Sequence, residues 1–148
     1  MPRRYVAVCG ATQATPAQLE AAREVGRLLA RSGAVVINGG YGGVPAAASE
    51  GAAGEGGTVV GLLSEGDREG ASPHLTLSLP TGLGQGRNLL IVTAAESVIA
   101  IGGGWGTLSE IALARRLGRD VFALDTWEVE GLEKVATPDE AVRRALGD

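Results

Sequence analysis

The sequence predicts one α/β domain: a mostly parallel sheet of six or seven strands with helices on both faces. Three observations carry that prediction. Short apolar runs that end in glycine alternate with longer stretches of helical periodicity, the pattern of strand followed by crossover helix. Most of the apolar runs are continuous rather than alternating, as strands covered on both faces require. Glycine makes up 24 of 148 residues, well above the usual ~7%, and it sits at the ends of those runs instead of forming a low-complexity tract.

Taken in order, Tyr5-Val-Ala-Val-Cys9 is the first strand, and Gly10-Ala11-Thr12 ends it. A helix is expected from Pro16 to Ser32, with Thr15 as its cap, Pro16 in its first turn and Gly33 closing it. Leu19, Ala22, Val25, Leu28-Leu29 and Ala30 form its apolar stripe. Ala34–Ile37 is the second strand, and Asn38-Gly-Gly-Tyr41-Gly-Gly43 a glycine turn. A small-residue helix from Val44 to Ala53 follows, with Pro45 in its first turn, and then a third strand, Thr58–Leu63. The polar segment Ser64–Pro73 is expected as an exposed loop, with His74 a surface residue beside it.

Leu75–Leu79 is a short fourth strand, and Pro80–Gly86 leads into a helix from Arg87 to Ala95. Val98–Ile101 is the fifth strand. It runs into Gly102-Gly103-Gly104-Trp105-Gly106 and a helix whose apolar positions are Leu108, Ile111, Ala112 and Leu117. Asp120–Leu124 is the sixth strand, Leu132–Val135 an optional edge strand, and Thr137-Pro138-Asp139-Glu140 opens a final helix with a capping-box pattern. No repeat or linker divides residues 1–148. The expected strand order is 3-2-1-4-5-6, with the switch between the first and fourth strands.

In such folds ligands bind beyond the C-terminal strand ends. Four turns fall there: Gly10–Thr12, Gly39–Gly43, Thr81–Gly84 and Gly102–Gly106. The last is strand, glycine turn and helix, where N–H groups at the start of the helix and the positive end of its dipole favour an anion. Its spacing is not the dinucleotide fingerprint, and it has no Lys after its last Gly as a P-loop needs. A small phosphorylated ligand is therefore expected there. Thr107 would donate its hydroxyl to a phosphate, and Glu110 would face the adjacent ligand atoms. Thr-x-x-Glu is also a capping box, which would give both residues a purely structural role. Arg87 starts a helix at the same edge, where its guanidinium suits phosphate. Trp105, or less directly Tyr41, could stack on a base, although Trp serves packing as often.

Composition narrows the partners. A net charge of −4 and pI near 5.0, with scattered Arg, argue against nucleic acid. The apolar run after Arg3 and Arg4 is too short for a signal peptide, and none reaches membrane-spanning length. Lone Cys9 offers neither a disulfide nor a metal cluster and fits a reducing cytosol as a buried thiol.

Gly102-Gly-Gly-Trp-Gly-Thr-Leu-Ser-Glu110 resembles the Pro-Gly-Gly-x-Gly-Thr-x-x-Glu signature of the LONELY GUY (LOG) phosphoribohydrolases, often mislabelled lysine decarboxylases, and Gly39–Val44 resembles that family's second glycine turn. The resemblance spans nearly the whole chain. It implies a Rossmann-like fold, a homo-oligomer (dimer or tetramer), and cofactor-free cleavage of nucleoside 5′-monophosphates into base and ribose 5-phosphate. Its catalytic Arg and Glu fall on Arg87 and Glu110, and its phosphate-binding residues on Gly103, Gly104, Gly106 and Thr107. Gly10, Thr12, Gly39, Gly40, Gly42 and Gly43 complete the expected ligand site. Gly102 replaces the signature Pro, Asn88 replaces the Lys after the Arg, and the segment between the third and fourth strands is short. These features resemble a short branch that includes molybdenum-cofactor carrier proteins, for which the alternative is non-catalytic carriage of that cofactor or a related pterin or nucleotide. Lysine decarboxylation is excluded on residues alone: a PLP enzyme needs a Schiff-base Lys, and the only one, Lys134, is remote from the glycine turns.

Overall fold

The structure is a computed structural model that describes residues 3–148. Seven strands form one sheet: β1 Tyr5–Gly10, β2 Val35–Asn38, β3 Val59–Leu63, β4 Leu77–Pro80, β5 Ser97–Ile101, β6 Asp120–Leu124 and β7 Glu133–Lys134. Every pairing is parallel, and the order is β4-β3-β2-β1-β5-β6-β7. Five helices connect them: α1 Pro16–Arg31, α2 Val44–Gly54, α3 Arg87–Ala94, α4 Trp105–Arg116 and α5 Pro138–Ala145. This is a Rossmann-like domain.

Side-chain alternation along each strand divides the core in two. Val6 and Val8 of β1 and Ile99 and Ile101 of β5 pack with Val25 and Leu29 of α1, Ala48 of α2 and Val142 of α5. Ala7, Cys9, Val98 and Ala100 point the other way, onto Ile91 and Val92 of α3 and Ile111 and Ala114 of α4. Cys9 is buried, and burial foremost holds its thiol well above the ordinary range. On the first face α1 and α2 touch backbone to backbone. A Cβ on Gly26 would stand 1.9 Å from Ala48 O, and one on Gly51 the same distance from Arg23 O. Thr15 caps α1 in a full capping box with Gln18, and Thr137 accepts from Glu140 N to cap α5.

The strand order differs from the expected one. The strand beside β1 is β5, which carries the glycine motif, while β4 is an edge paired only with β3. The difference has a legible cause. Leu75-Thr-Leu-Ser-Leu alternates apolar and polar, and Leu77 and Leu79 stay exposed, whereas Ser97-Val-Ile-Ala-Ile is buried throughout. A half-covered strand ending in Pro80, which has no N–H, suits an edge. The switch therefore lies between β1 and β5. Among the described residues no helix is long and apolar enough to cross a membrane.

Candidate functional site

A cleft of about 650 Å³ opens at the C-terminal ends of β1, β2 and β5. Its floor begins where β1 and β5 converge. A Cβ on Gly10 would lie 2.1 Å from Ile101 O, so only glycine lets the two strand ends approach this closely. The next turn crosses just as tightly: Val44 N donates to Ala11 O at 2.8 Å, and Gly43, at φ +77°, lies against the carbonyls of Ala11 and Thr12. Buried Asn38 stiffens that turn. Its amide nitrogen donates to Ser49 Oγ and Pro45 O, and its oxygen accepts from Gly40 N at 2.8 Å.

The third wall is the glycine motif. Gly102 (φ +61°) and Gly103 (φ +114°) turn the chain out of β5, and Gly104 becomes the N-cap of α4. The loop after β6 braces the turn. Gly102 N donates to Asp125 O at 2.8 Å, the Thr126 hydroxyl donates to Gly102 O, and Trp127 Nε1 donates to Gly104 O at 3.0 Å. None of the N–H groups from Gly103 to Thr107 donates to an acceptor among the described residues. Together with the helix dipole they form an anion-binding end.

The helix starts at Trp105, three residues before the first helical position that a Thr107 cap implies. Thr107 occupies its third position rather than the cap, no side chain caps the helix, and Glu110 lies in the second turn. The capping role for Thr107 and Glu110 is therefore corrected. Glu110 lines the cleft, and its carboxylate has no hydrogen-bond donor among the described residues. Although the residue is half-buried, its carboxyl lies deep among the cleft atoms. Burial pushes its pKa up to about 7, against an opposing pull from Arg87.

Arg87, the first residue of α3, faces this end with its guanidinium fixed. Nη1 donates to Leu62 O at 2.6 Å and Gly39 O at 2.9 Å, Nε donates to Asn88 Oδ1 at 2.9 Å, and the Tyr41 ring lies 5.6 Å away. Nη2 has no acceptor among the described residues. Asn88 is buried and holds the arrangement together. Its amide nitrogen donates to Ser109 Oγ and Gln85 Oε1, and Ser109 in turn donates to Gly106 O at 2.7 Å. A chain of hydrogen bonds thus runs from the α4 turn through Asn88 and Arg87 to Gly39.

Of the expected ligand-site residues, Gly10, Thr12, Gly39, Gly42, Arg87, Gly103, Gly104, Gly106, Thr107 and Glu110 line one cleft. Gly40 and Gly43 do not: Gly40 packs on Leu63 and Gly61, and Gly43 backs onto the β1 turn. The turn Thr81–Gly84 is also absent from the walls, because β4 lies at the far edge; Gln85, Arg87 and Asn88 stand in its place. Trp105 lies outside the cleft, 77% exposed and packed on Trp127 with ring centroids 5.3 Å apart. Tyr41 does line it. Sequence reasoning missed Gln13, Gln18 and Pro45, and noticed Asn88 only as a departure from a family pattern. A polar residue directly after the Arg, on the buried side of a helix, was the available signal.

Comparison with known proteins follows the same lines. Residues 3–146 match the SLOG cluster4 family. An uncharacterized protein of Archaeoglobus fulgidus is 38% identical over 147 residues, covering 99% of this chain and 97% of that protein. Among solved structures, the molybdenum cofactor binding protein of Rippkaea orientalis superposes with a TM-score of 0.92 at 31% identity, covering 97% of this chain and 96% of that one. The molybdenum cofactor carrier protein of Chlamydomonas reinhardtii gives 0.88 at 26% identity, covering 99% and 100%.

Proposed function

The chain belongs to the SLOG cluster4 family, and on that premise we propose that it is a carrier, holding the molybdenum cofactor or a related phosphorylated pterin in the cleft between Arg87 and the Gly103–Glu110 segment. The observation that carries this reading is the row of N–H groups from Gly103 to Thr107 that have no acceptor among the described residues, facing an Arg87 whose Nη2 likewise has none among them. A phosphate would take these donors together with the Thr107 hydroxyl. Charge-assisted bonds of this kind contribute about 1.5–3 kcal/mol each. The cleft volume of about 650 Å³ suits a cofactor-sized ligand. Two full-length structural neighbours named for binding or carrying that cofactor support the same choice. Carriage requires no bond to break. A dimer or tetramer belongs to this reading, with exposed Leu83, Leu89 and Leu90 available for contact, and so does residence in the cytosol.

One observation favours the phosphoribohydrolase as a second reading. A carboxyl with a pKa of about 7 lies in the same cleft as a fixed guanidinium, as a general acid or base would. One experiment separates the two. The purified protein is examined by mass spectrometry for a bound pterin and titrated with molybdenum cofactor, and it is incubated with a panel of nucleoside monophosphates followed by chromatography for free base. The carrier reading expects cofactor bound without turnover, and binding weakened roughly tenfold to a hundredfold by Arg87→Ala. Steady release of base and ribose 5-phosphate, with no cofactor bound, would overturn it in favour of the hydrolase.

A further inference from the structure

Beside the cleft lies a second cavity of about 450 Å³, and the two share Tyr41 and Gly42 in their walls. A Cβ at Gly42 would meet nothing within 4 Å, so the shared wall is low. Most of the second lining is small or apolar: Leu19 of α1, Ala46 and Ala47 of α2, and Gly70 and Pro73 of the β3–β4 loop. Such walls suit the faces of a flat ring. The charged groups are Arg23, Glu50 and His74, and their pairing decides what the ring must offer.

Arg23 is already paired with two carboxylates. Its Nε donates to Glu50 Oε1 at 2.6 Å and its Nη1 to Glu20 at 2.7 Å, so its charge is offset by theirs although N–H donors remain on it. Glu50 Oε2 is different: its neighbour is His74 Nε2 at 3.7 Å, beyond hydrogen-bond reach. The Arg23 hydrogen bond holds the Glu50 carboxyl below its usual range, so it is ionised at neutral pH and can only accept. The position is set by the backbone contact of α1 with α2, which brings Arg23 and Glu50 together. The cavity therefore combines apolar faces with a carboxylate wanting N–H donors.

We propose that this second cavity receives the ring of a ligand whose phosphate lies in the cleft, and that Glu50 reads adjacent N–H donors on a 2-amino-4-oxo edge, the edge shared by guanine and pterins. The proposal rests on the reading of the cleft as a phosphate site, and it adds the ring's location and its specificity. The 2-amino group and the neighbouring ring N–H point the same way and are spaced to meet the two oxygens of one carboxylate. Adenine and hypoxanthine do not present that pair.

Calorimetric titration of the parent protein and of Glu50→Gln tests it. Glu50 is exposed, and Gln retains an oxygen for Arg23, so the fold is kept. The probes are guanosine and inosine 5′-monophosphates, which differ only in the 2-amino group, dihydroneopterin monophosphate, and ribose 5-phosphate, which has no ring. The expected result is a guanosine over inosine preference of at least about tenfold in the parent, lost in Glu50→Gln, while ribose 5-phosphate binds both proteins alike. The stronger of the guanine and pterin probes identifies the source of the edge. Equal binding of the two nucleotides by the parent, or a preference that survives Glu50→Gln, would overturn the proposal. Failure of ribose 5-phosphate to bind would instead overturn the reading of the cleft, and the ring site would then stand or fall by the same criterion with guanosine and inosine.

Discussion

Replacing Glu110 by glutamine separates shape from charge at the bottom of the cleft. Burial pushes the Glu110 carboxyl from 4.5 up to about 7 in the folded protein, with Arg87 pulling the other way. In the unfolded chain the same group titrates near its ordinary value. Between those two values the folded protein holds a proton that the unfolded chain has released, so stability is full below the lower one and falls as pH rises through the upper one. At about 1.4 kcal/mol per pH unit, the difference sets a ceiling of about 3 kcal/mol. Because the residue is half-buried, screening by water brings this to roughly 1–2 kcal/mol. Gln has nearly the same shape and does not ionise. The variant should therefore match the parent in relative terms near pH 4, gain on it as pH rises towards 7 and level off above that, reaching a melting temperature roughly 2–8 °C higher. Thermal denaturation of both proteins at unit steps from pH 4 to 8 measures this, since all other titrations cancel in the difference. A gap between the two that stays constant with pH would refute the buried, ionisable carboxyl on which the argument stands.

Four further outcomes are expected. Gly103→Ala forces φ +114° on a residue with a Cβ and drives it to 2.3 Å from Thr107 Oγ1, so it should cost about 2–4 kcal/mol in urea unfolding. Gly106→Ala meets nothing within 4 Å and should fold normally, yet weaken ribose 5-phosphate about tenfold by placing a methyl on the cleft wall. Gly26→Ala puts a methyl into the Ala48 carbonyl and should separate α1 from α2 at a cost of about 2–4 kcal/mol, read from thermal melts. Asn88→Ala should weaken ribose 5-phosphate about threefold to tenfold in the parent and hardly at all in Arg87→Ala, because Asn88 acts by holding Arg87; additive losses in calorimetry would contradict that coupling.

The sequence by itself determined the class of fold and most of its elements. Continuous apolar runs can be satisfied only between two layers of helix, and the caps at Thr15 and Thr137 are local chemistry that needs no tertiary partner. It also marked the two glycine turns that meet in the cleft, since backbone geometry beyond the reach of other residues leaves its trace as glycine. Tertiary structure decided the rest. Placing β4 at the edge and β5 beside β1 depended on which strand the whole sheet could cover, and that moved Thr81–Gly84 away and brought Gln85 and Asn88 in. α4 starts at Trp105, its cap residue Gly104 braced by Trp127 from a loop more than twenty residues on, and that start leaves Glu110 without a capping role. The close approach of α1 and α2 behind the second cavity rests on Gly26 and Gly51, two glycines that a helical pattern registers only as weak positions. Local pattern reports what a residue needs from its neighbours in sequence; which distant residue supplies it, and what charge environment results, is set only when the layers close.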